Sequence, residues 1–129
     1  MKTVNETRIE NDYAIMWSED GIILSIYKPF LKITLDVACQ LVESRLKLNK
    51  GIAMPLFIDV RKVSYADDKA RKYLASEEGS KLISAGAMLV DGPISQFLAN
   101  VFLKVYHPVA PLKIFTDQKK AIEWLQKYK

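Results

Sequence analysis

The spacing of apolar residues changes period several times along the chain, and each change marks an element. Residues 8–17 (R-I-E-N-D-Y-A-I-M-W) and 22–27 (I-I-L-S-I-Y) are dense in β-branched and aromatic side chains, which suit a pleated surface, so both predict strands. Asp20-Gly21 between them is a strong hairpin signal, because both residues tolerate positive φ. Pro29 bars continuation of an ordinary central strand. From Thr34 the period becomes helical. Thr34 can cap, Leu35, Ala38, Val42 and Leu46 recur on one side, and Asp36, Gln40, Glu43 and Lys47 occupy the other. With Asn49 and Gly51 as terminators, the pattern predicts a helix over 35–49.

Leu56 to Val60 is an apolar run too short for a helix and reads as a strand buried on both faces. Asp67 can cap the helix that follows, with Ala70, Tyr73 and Leu74 on one side. Ser76-Glu77-Glu78 then predicts a second short helix ending near Ser84, since Gly79 argues against one uninterrupted helix. Ala87–Val90 is another strand. Gly92-Pro93 opens a helix with Pro at its first position, and Ile94, Phe97, Leu98, Val101, Phe102 and Val105 make the cleanest amphipathic stripe in the chain. Pro108 and Pro111 end it. Leu112–Phe115 forms a last strand, and Thr116-Asp117 opens a C-terminal helix with Ala121, Trp124, Leu125 and Tyr128 on its apolar side. The order β-β-α-β-α-α-β-α-β-α predicts a single α/β domain over residues 1–129. Its sheet is expected to be mixed and mostly parallel, of about five strands, with the first strand antiparallel at an edge.

Charge and reactive residues narrow the function more by exclusion than by assignment. The 19 Lys and Arg are interleaved with 15 acids, so the net +4 forms no basic stripe of the kind that tracks nucleic acid. One cysteine, Cys39, cannot form an internal disulfide or a thiolate zinc cluster, and its apolar neighbours predict a small core side chain. His107 is the sole histidine, which excludes a multi-histidine metal site. Glycines at 21, 51, 79, 86 and 92 spell neither of the glycine-rich phosphate loops. The Asp67-Asp68 pair looks like paired acid/base carboxylates, but adjacent residues at a helix N-terminus do not face each other. The dipole there also keeps both ionised, so a cap plus a first-turn acid is the better reading. No catalytic residue, cofactor or metal is expected, and the chain reads as a non-enzyme. The N-terminus has no apolar signal region and no run approaches the ~20 residues that span a bilayer, which makes a cytoplasmic location without a transmembrane segment the expectation.

The segment L-F-I-D-V-R-K-V-S-Y-A-D-D-K-A, together with the order of elements, resembles the STAS domain of sulfate transporters and bacterial anti-sigma-factor antagonists. In those antagonists an apolar strand ending in Asp leads, through a loop with a Val and an aromatic residue, to Asp-Ser-Ser-Gly at a helix N-terminus. Here Leu56–Asp59 match the strand, Val63 and Tyr65 the loop positions, and Asp67 the first motif residue. Asp68 and Lys69 then stand at the two serines and Ala70 at the glycine. The second serine accepts phosphate in the antagonists. Lys69 cannot, and its single positive charge is no substitute for the roughly −2 of a phosphoserine. The resemblance implies a bacterial-type protein-interaction module that contacts a protein partner around Ser64, Asp67, Asp68, Lys69 and Arg71. Ser64, the nearest hydroxyl, is expected to bond backbone and stay unmodified. A homodimer is a further expectation, from the aromatic area of Phe102, Tyr106, Trp124 and Tyr128. The alternative is a small apolar ligand, because related single-domain proteins resemble lipid-carrying folds of the Sec14 type. Met54 and Met88 are residues that pack well at adaptable sites.

Overall fold

The computed structural model describes residues 7–129 and, for the backbone alone, residues 3–4. Four antiparallel strands open the chain: β1 (Thr3–Val4), β2 (Arg8–Glu10), β3 (Ala14–Glu19) and β4 (Ile22–Tyr27). The single strand expected over 8–17 is broken after Glu10. There the Asn11 carboxamide accepts the N–H groups of Tyr13 (2.8 Å) and Ala14 (3.0 Å), and the chain reverses. The Asp20-Gly21 hairpin forms as expected. Both residues have positive φ, 51° and 79°, as the tight turn matching strand twist requires.

Short β5 (Lys32–Ile33) follows Pro29 and leads into α1 (Leu35–Asn49), whose Thr34 side chain accepts the Val37 N–H. The buried side of α1 is Ala38, Leu41, Val42, Ser44, Arg45, Leu48 and Asn49. Leu46 stays half-buried and Leu35 is exposed, so the inward face is rotated from the predicted Leu35–Leu46 line and takes in an arginine. Strand β6 (Met54–Asp59) pairs parallel with β4; β7 (Tyr65–Ala66) pairs parallel with β5; α2 (Asp68–Ala75) follows.

Residues 76–82 are turns, not the short helix predicted for 76–84. Ser76 stops α2: its backbone N–H and hydroxyl both donate to the Tyr73 carbonyl, and its Oγ accepts the Gly79 N–H. The chain then doubles back so closely that a Cβ on Gly79 would lie 2.1 Å from the Tyr73 oxygen. Strand β8 (Ile83–Leu89) therefore starts four residues earlier than the predicted Ala87. Helix α3 (Gly92–Tyr106), β9 (Leu112–Phe115) and α4 (Gln118–Leu125) complete the order, with a final 3-10 turn at Gln126–Tyr128.

The main sheet runs β1-β2-β3-β4-β6-β8-β9, seven strands where about five were expected. The β4-β6-β8-β9 part is parallel, and β1 to β3 extend it antiparallel to the edge. One face carries α4, which sits close because Ala85, Ala87 and Ala121 are all fully buried where they meet Phe57, Leu89 and Leu125. The other face carries α1 and α2 over Met16, Ile23 and Leu56. Helix α3 lies on this face too, but turns only a narrow line toward the body. Ala99 is its one buried residue, while Ile94, Phe97, Leu98 and Val105 are 60–78% exposed. The stripe expected to face the core is mostly solvent-facing.

Gly79→Ala is expected to cost about 3 kcal/mol, since its Cβ must displace α2 backbone rather than a flexible side chain. A urea denaturation midpoint equal to the unaltered protein's would show that the 76–82 turn does not need the close approach.

Candidate functional site

Because α3 stands away from the sheet, a cavity of about 410 Å³ remains between the sheet and the α1-α2-α3 layer. Its floor is one face of the central strands. Ser25 on β4 is opposite Ile58 on β6, which is opposite Met88 on β8, and Leu56, Gly86 and Leu112 lie one step back on β6, β8 and β9. Central strands of a parallel sheet ordinarily bury both faces. Here Ile58 and Met88 are only half-buried, since they look into the cavity. The roof is Leu41, Val42 and Arg45 of α1, Arg71 and Leu74 of α2, and Leu98, Ala99, Val101 and Phe102 of α3. Of the two methionines singled out from the sequence, Met88 faces the cavity and Met54 does not line it.

Two loops frame the mouth. Phe30 donates its N–H to Lys62 (2.8 Å), Ser64 to Leu31 (2.8 Å) and Asp67 to Ile33 (3.0 Å), lacing the segment after β4 to the segment after β6. This frame includes the small β5-β7 sheet, which the sequence pattern did not reveal. At its root, Asp59 accepts the Arg61 N–H (3.1 Å) and, on its two oxygens, Arg61 Nε (3.0 Å) and Nη2 (2.8 Å). Burial pushes the Asp59 carboxyl up, but the Arg61 hydrogen bonds and the nearby charges of Arg61 and Lys62 outweigh it. The carboxyl therefore lies below its ordinary range.

The five residues expected to meet a partner divide four ways. Asp67 is a cap: its Oδ1 accepts the Ala70 N–H at 2.8 Å. Asp68 is a clasp, accepting the Tyr106 hydroxyl (2.7 Å) and pairing with Lys72 (3.1 Å). The Tyr106 hydrogen bond is the main reason its carboxyl sits below the ordinary range. Arg71 lies 5.4 Å over the same Tyr106 ring, so α2 holds the C-terminal end of α3 from two residues. Ser64 and Arg71 reach the cavity wall, whereas Lys69 is exposed and forms no ion pair among the described residues. The aromatic residues thought available for self-association are engaged internally. Phe102 stacks on Tyr106, and Trp124 packs between Phe115 and Tyr128 against the α4-side core. His107 is the left-handed cap of α3, with its N–H on Leu103.

Two polar residues of the cavity wall, Arg45 and Ser25, escaped the sequence reading. Arg45 is 3% exposed and its charge is disfavoured by burial, partly offset by the Tyr27 and Tyr73 phenols. Burial pushes the Tyr27 phenol up to about 12. Ser25 is 2% exposed, and its hydroxyl is without a hydrogen-bond partner among the described residues. A signal did exist for both. Arg45 sits at helical spacing from Leu41, Val42 and Leu48, a charge on an apolar stripe, and Ser25 interrupts I-I-L-S-I-Y.

Residues 16–129 match the profile of a family described as "Domain of unknown function (DUF7793)". No curated protein sequence matches the chain. Among solved structures, a protein of the DUF3478 family from Shewanella loihica PV-4, described as uncharacterized and as having a SpoIIAA-like fold, superposes with a TM-score of 0.63. That match is at 15% identity and covers 97% of this chain and 98% of the other. The fold is therefore SpoIIAA-like, in agreement with the STAS resemblance of the 56–70 segment.

Replacing Arg61 by Gln leaves the buried Asp59 carboxylate without its ion-pair partner. A carboxyl depressed in the folded state stabilises above its unfolded pKa, and that stability is lost as pH falls through the folded value. Arg61→Gln is accordingly expected to cost about 1 kcal/mol at neutral pH, discounted because Arg61 is half-exposed, and that deficit should shrink toward zero as pH falls through the folded Asp59 value. Urea midpoints measured from pH 3 to 7 check both; a deficit of the same size at pH 3 and pH 7 would sink the assignment.

Proposed function

The chain belongs to the DUF7793 family, and from that starting point we propose that it is a non-enzymatic, STAS-like binding module whose ligand is a small apolar molecule held beneath α3. The observation that carries this reading is the apolar cavity of about 410 Å³, floored by half-buried Ile58 and Met88 on strands that should be closed. Ligand pockets fall in the range of roughly 300–1,000 Å³ and are mostly apolar with a few placed polar groups. The cavity fits that description. Against an enzyme stands the composition of the wall: it holds no carboxylate, histidine or cysteine that could act as base or nucleophile.

The test uses N-phenyl-1-naphthylamine, a neutral fluorescent probe, titrated into the full chain. One saturable site is expected. Ser25→Leu, which puts apolar volume into the cavity floor and removes an unpartnered hydroxyl, should abolish the probe signal while leaving thermal stability equal or higher. No saturable binding by the unaltered protein, or undiminished binding by a folded Ser25→Leu variant, would refute the reading.

A second reading keeps the protein partner that the STAS resemblance implies. It is favoured by the exposed Ile94, Phe97 and Val105 on α3 and by exposed Lys69 at the position of the antagonists' phospho-accepting serine. With Lys69 there, no phosphorylation switch operates at that position, and contact is governed by fixed charge and apolar area. Lys69→Glu combined with Phe97→Ser should abolish recovery of a specific partner in affinity purification from the native host without altering probe binding. Recovery unchanged by the pair would remove this surface from consideration.

A further inference from the structure

The wall of the cavity carries charge of one sign. Arg45 and Arg71 line it, and no aspartate, glutamate, lysine or histidine joins them. Arg71 is half-buried and already lies over Tyr106. Arg45 is 3% exposed and has no ion pair among the described residues.

A buried cation persists only when hydrogen bonds or a counter-charge replace its lost water. Arg45 has part of that replacement. Its Nη1 donates to Asn49 Oδ1 (2.8 Å) and to the Lys81 carbonyl (2.7 Å), and its Nη2 to the Gly79 carbonyl (3.1 Å). These acceptors are neutral oxygens, and they leave the Nε–H and one Nη2–H unspent. Those two nitrogens form the edge of a guanidinium that grips a carboxylate. Arg61 uses the same pair on Asp59, at 3.0 and 2.8 Å. The unpartnered Ser25 hydroxyl in the floor is a second polar group available to a ligand. Two residues along β4, the Tyr27 phenol feels the Arg45 charge, which puts the arginine against this end of the floor.

Resting on the apolar-ligand reading above, we propose that the occupant is a single-chain anionic amphiphile, a medium-chain carboxylate whose head is held by Arg45 and whose chain covers Ile58 and Met88. A neutral apolar molecule would leave the buried guanidinium without a counter-charge. A cationic one would meet two arginines. The length follows from the space: about 410 Å³ divided into water-sized shares of ~30 Å³ holds about 14 non-hydrogen atoms, the size of dodecanoate.

Calorimetric titration of the full chain at pH 8 with dodecanoate, dodecan-1-ol and dodecylammonium, each below its aggregation concentration, tests this. Dodecanoate is expected to bind at least about tenfold more tightly than the alcohol, and the ammonium more weakly than either. In Arg45→Gln the advantage of the carboxylate over the alcohol should fall below about threefold. Arg45 also holds the 76–82 turn, so if that variant does not fold, the ranking on the unaltered protein decides alone. Equal affinity for carboxylate and alcohol, or preference for the ammonium, would overturn the head-group assignment and leave the apolar cavity reading standing. Failure of all three ligands and of the neutral naphthylamine probe would overturn both.

Discussion

A parallel sheet has to be covered on both faces, because its central strands have no solvent-tolerant side. This protein meets that requirement unequally. On the α4 face, Ala85, Ala87 and Ala121 let helix and strands close completely over Phe57 and Leu125. On the opposite face, α2 is only 8 residues long, because Ser76 and Gly79 end it and fold the chain back on its last turn. Three helices then share a surface they do not fill. The open volume lies beneath α3, whose Ile94, Phe97 and Val105 are left exposed.

What holds α3 is correspondingly specific. Its own apolar stripe contributes little burial, so position depends on the Tyr106 hydroxyl on Asp68, the Arg71 guanidinium over the Tyr106 ring, and the Phe102–Tyr106 stack. These contacts are all at the C-terminal end. Toward its N-terminus α3 has Pro93 and the Asp91–Ser95 hydrogen bonds, which are local to the helix and tie it to nothing across the cavity. The side-chain contacts that fix α3 over the apolar space are thus concentrated at its C-terminal end.

The fold was largely legible from the sequence because the signals were local. The Thr34 and Asp67 caps, the Asp20-Gly21 turn and Pro93 each act on a few neighbouring residues, and each is found where the pattern put it. The misreadings came where one local signal had two outcomes or where distance mattered. Ser76-Glu77-Glu78 has the look of a helix start, but Ser76 spends its hydroxyl on the Tyr73 carbonyl three residues back and becomes a stop. The α3 stripe has the right period to be core, yet period alone cannot tell how far the sheet is from the helix. The candidate site shows the same division. Asp67, Asp68 and Arg71 were picked out by their motif and proved to be cap, clasp and cavity wall. Arg45 and Ser25 belong to no motif and acquire meaning only when α1 and β4 are brought together over one space.

That last pair also bears on the ligand proposed for a SpoIIAA-like fold in which Lys69 stands at the position of the antagonists' phospho-accepting serine. At the N-terminus of α2 the side chains are committed: Asp67 to the Ala70 N–H, Asp68 to Tyr106 and Lys72, and Ala70 to the core at 0% exposure. Little is left there to change state, apart from the exposed Lys69. Within the cavity the reverse holds. Arg45 retains unspent donors and an uncompensated charge in a low-dielectric wall, where a single added carboxylate would alter the local energetics far more than on the surface. Arg45 is bonded to the 76–82 turn that ends α2, and α2 clasps α3. The guanidinium, the turn, α2 and the C-terminal end of α3 thus form one connected set of contacts around the cavity.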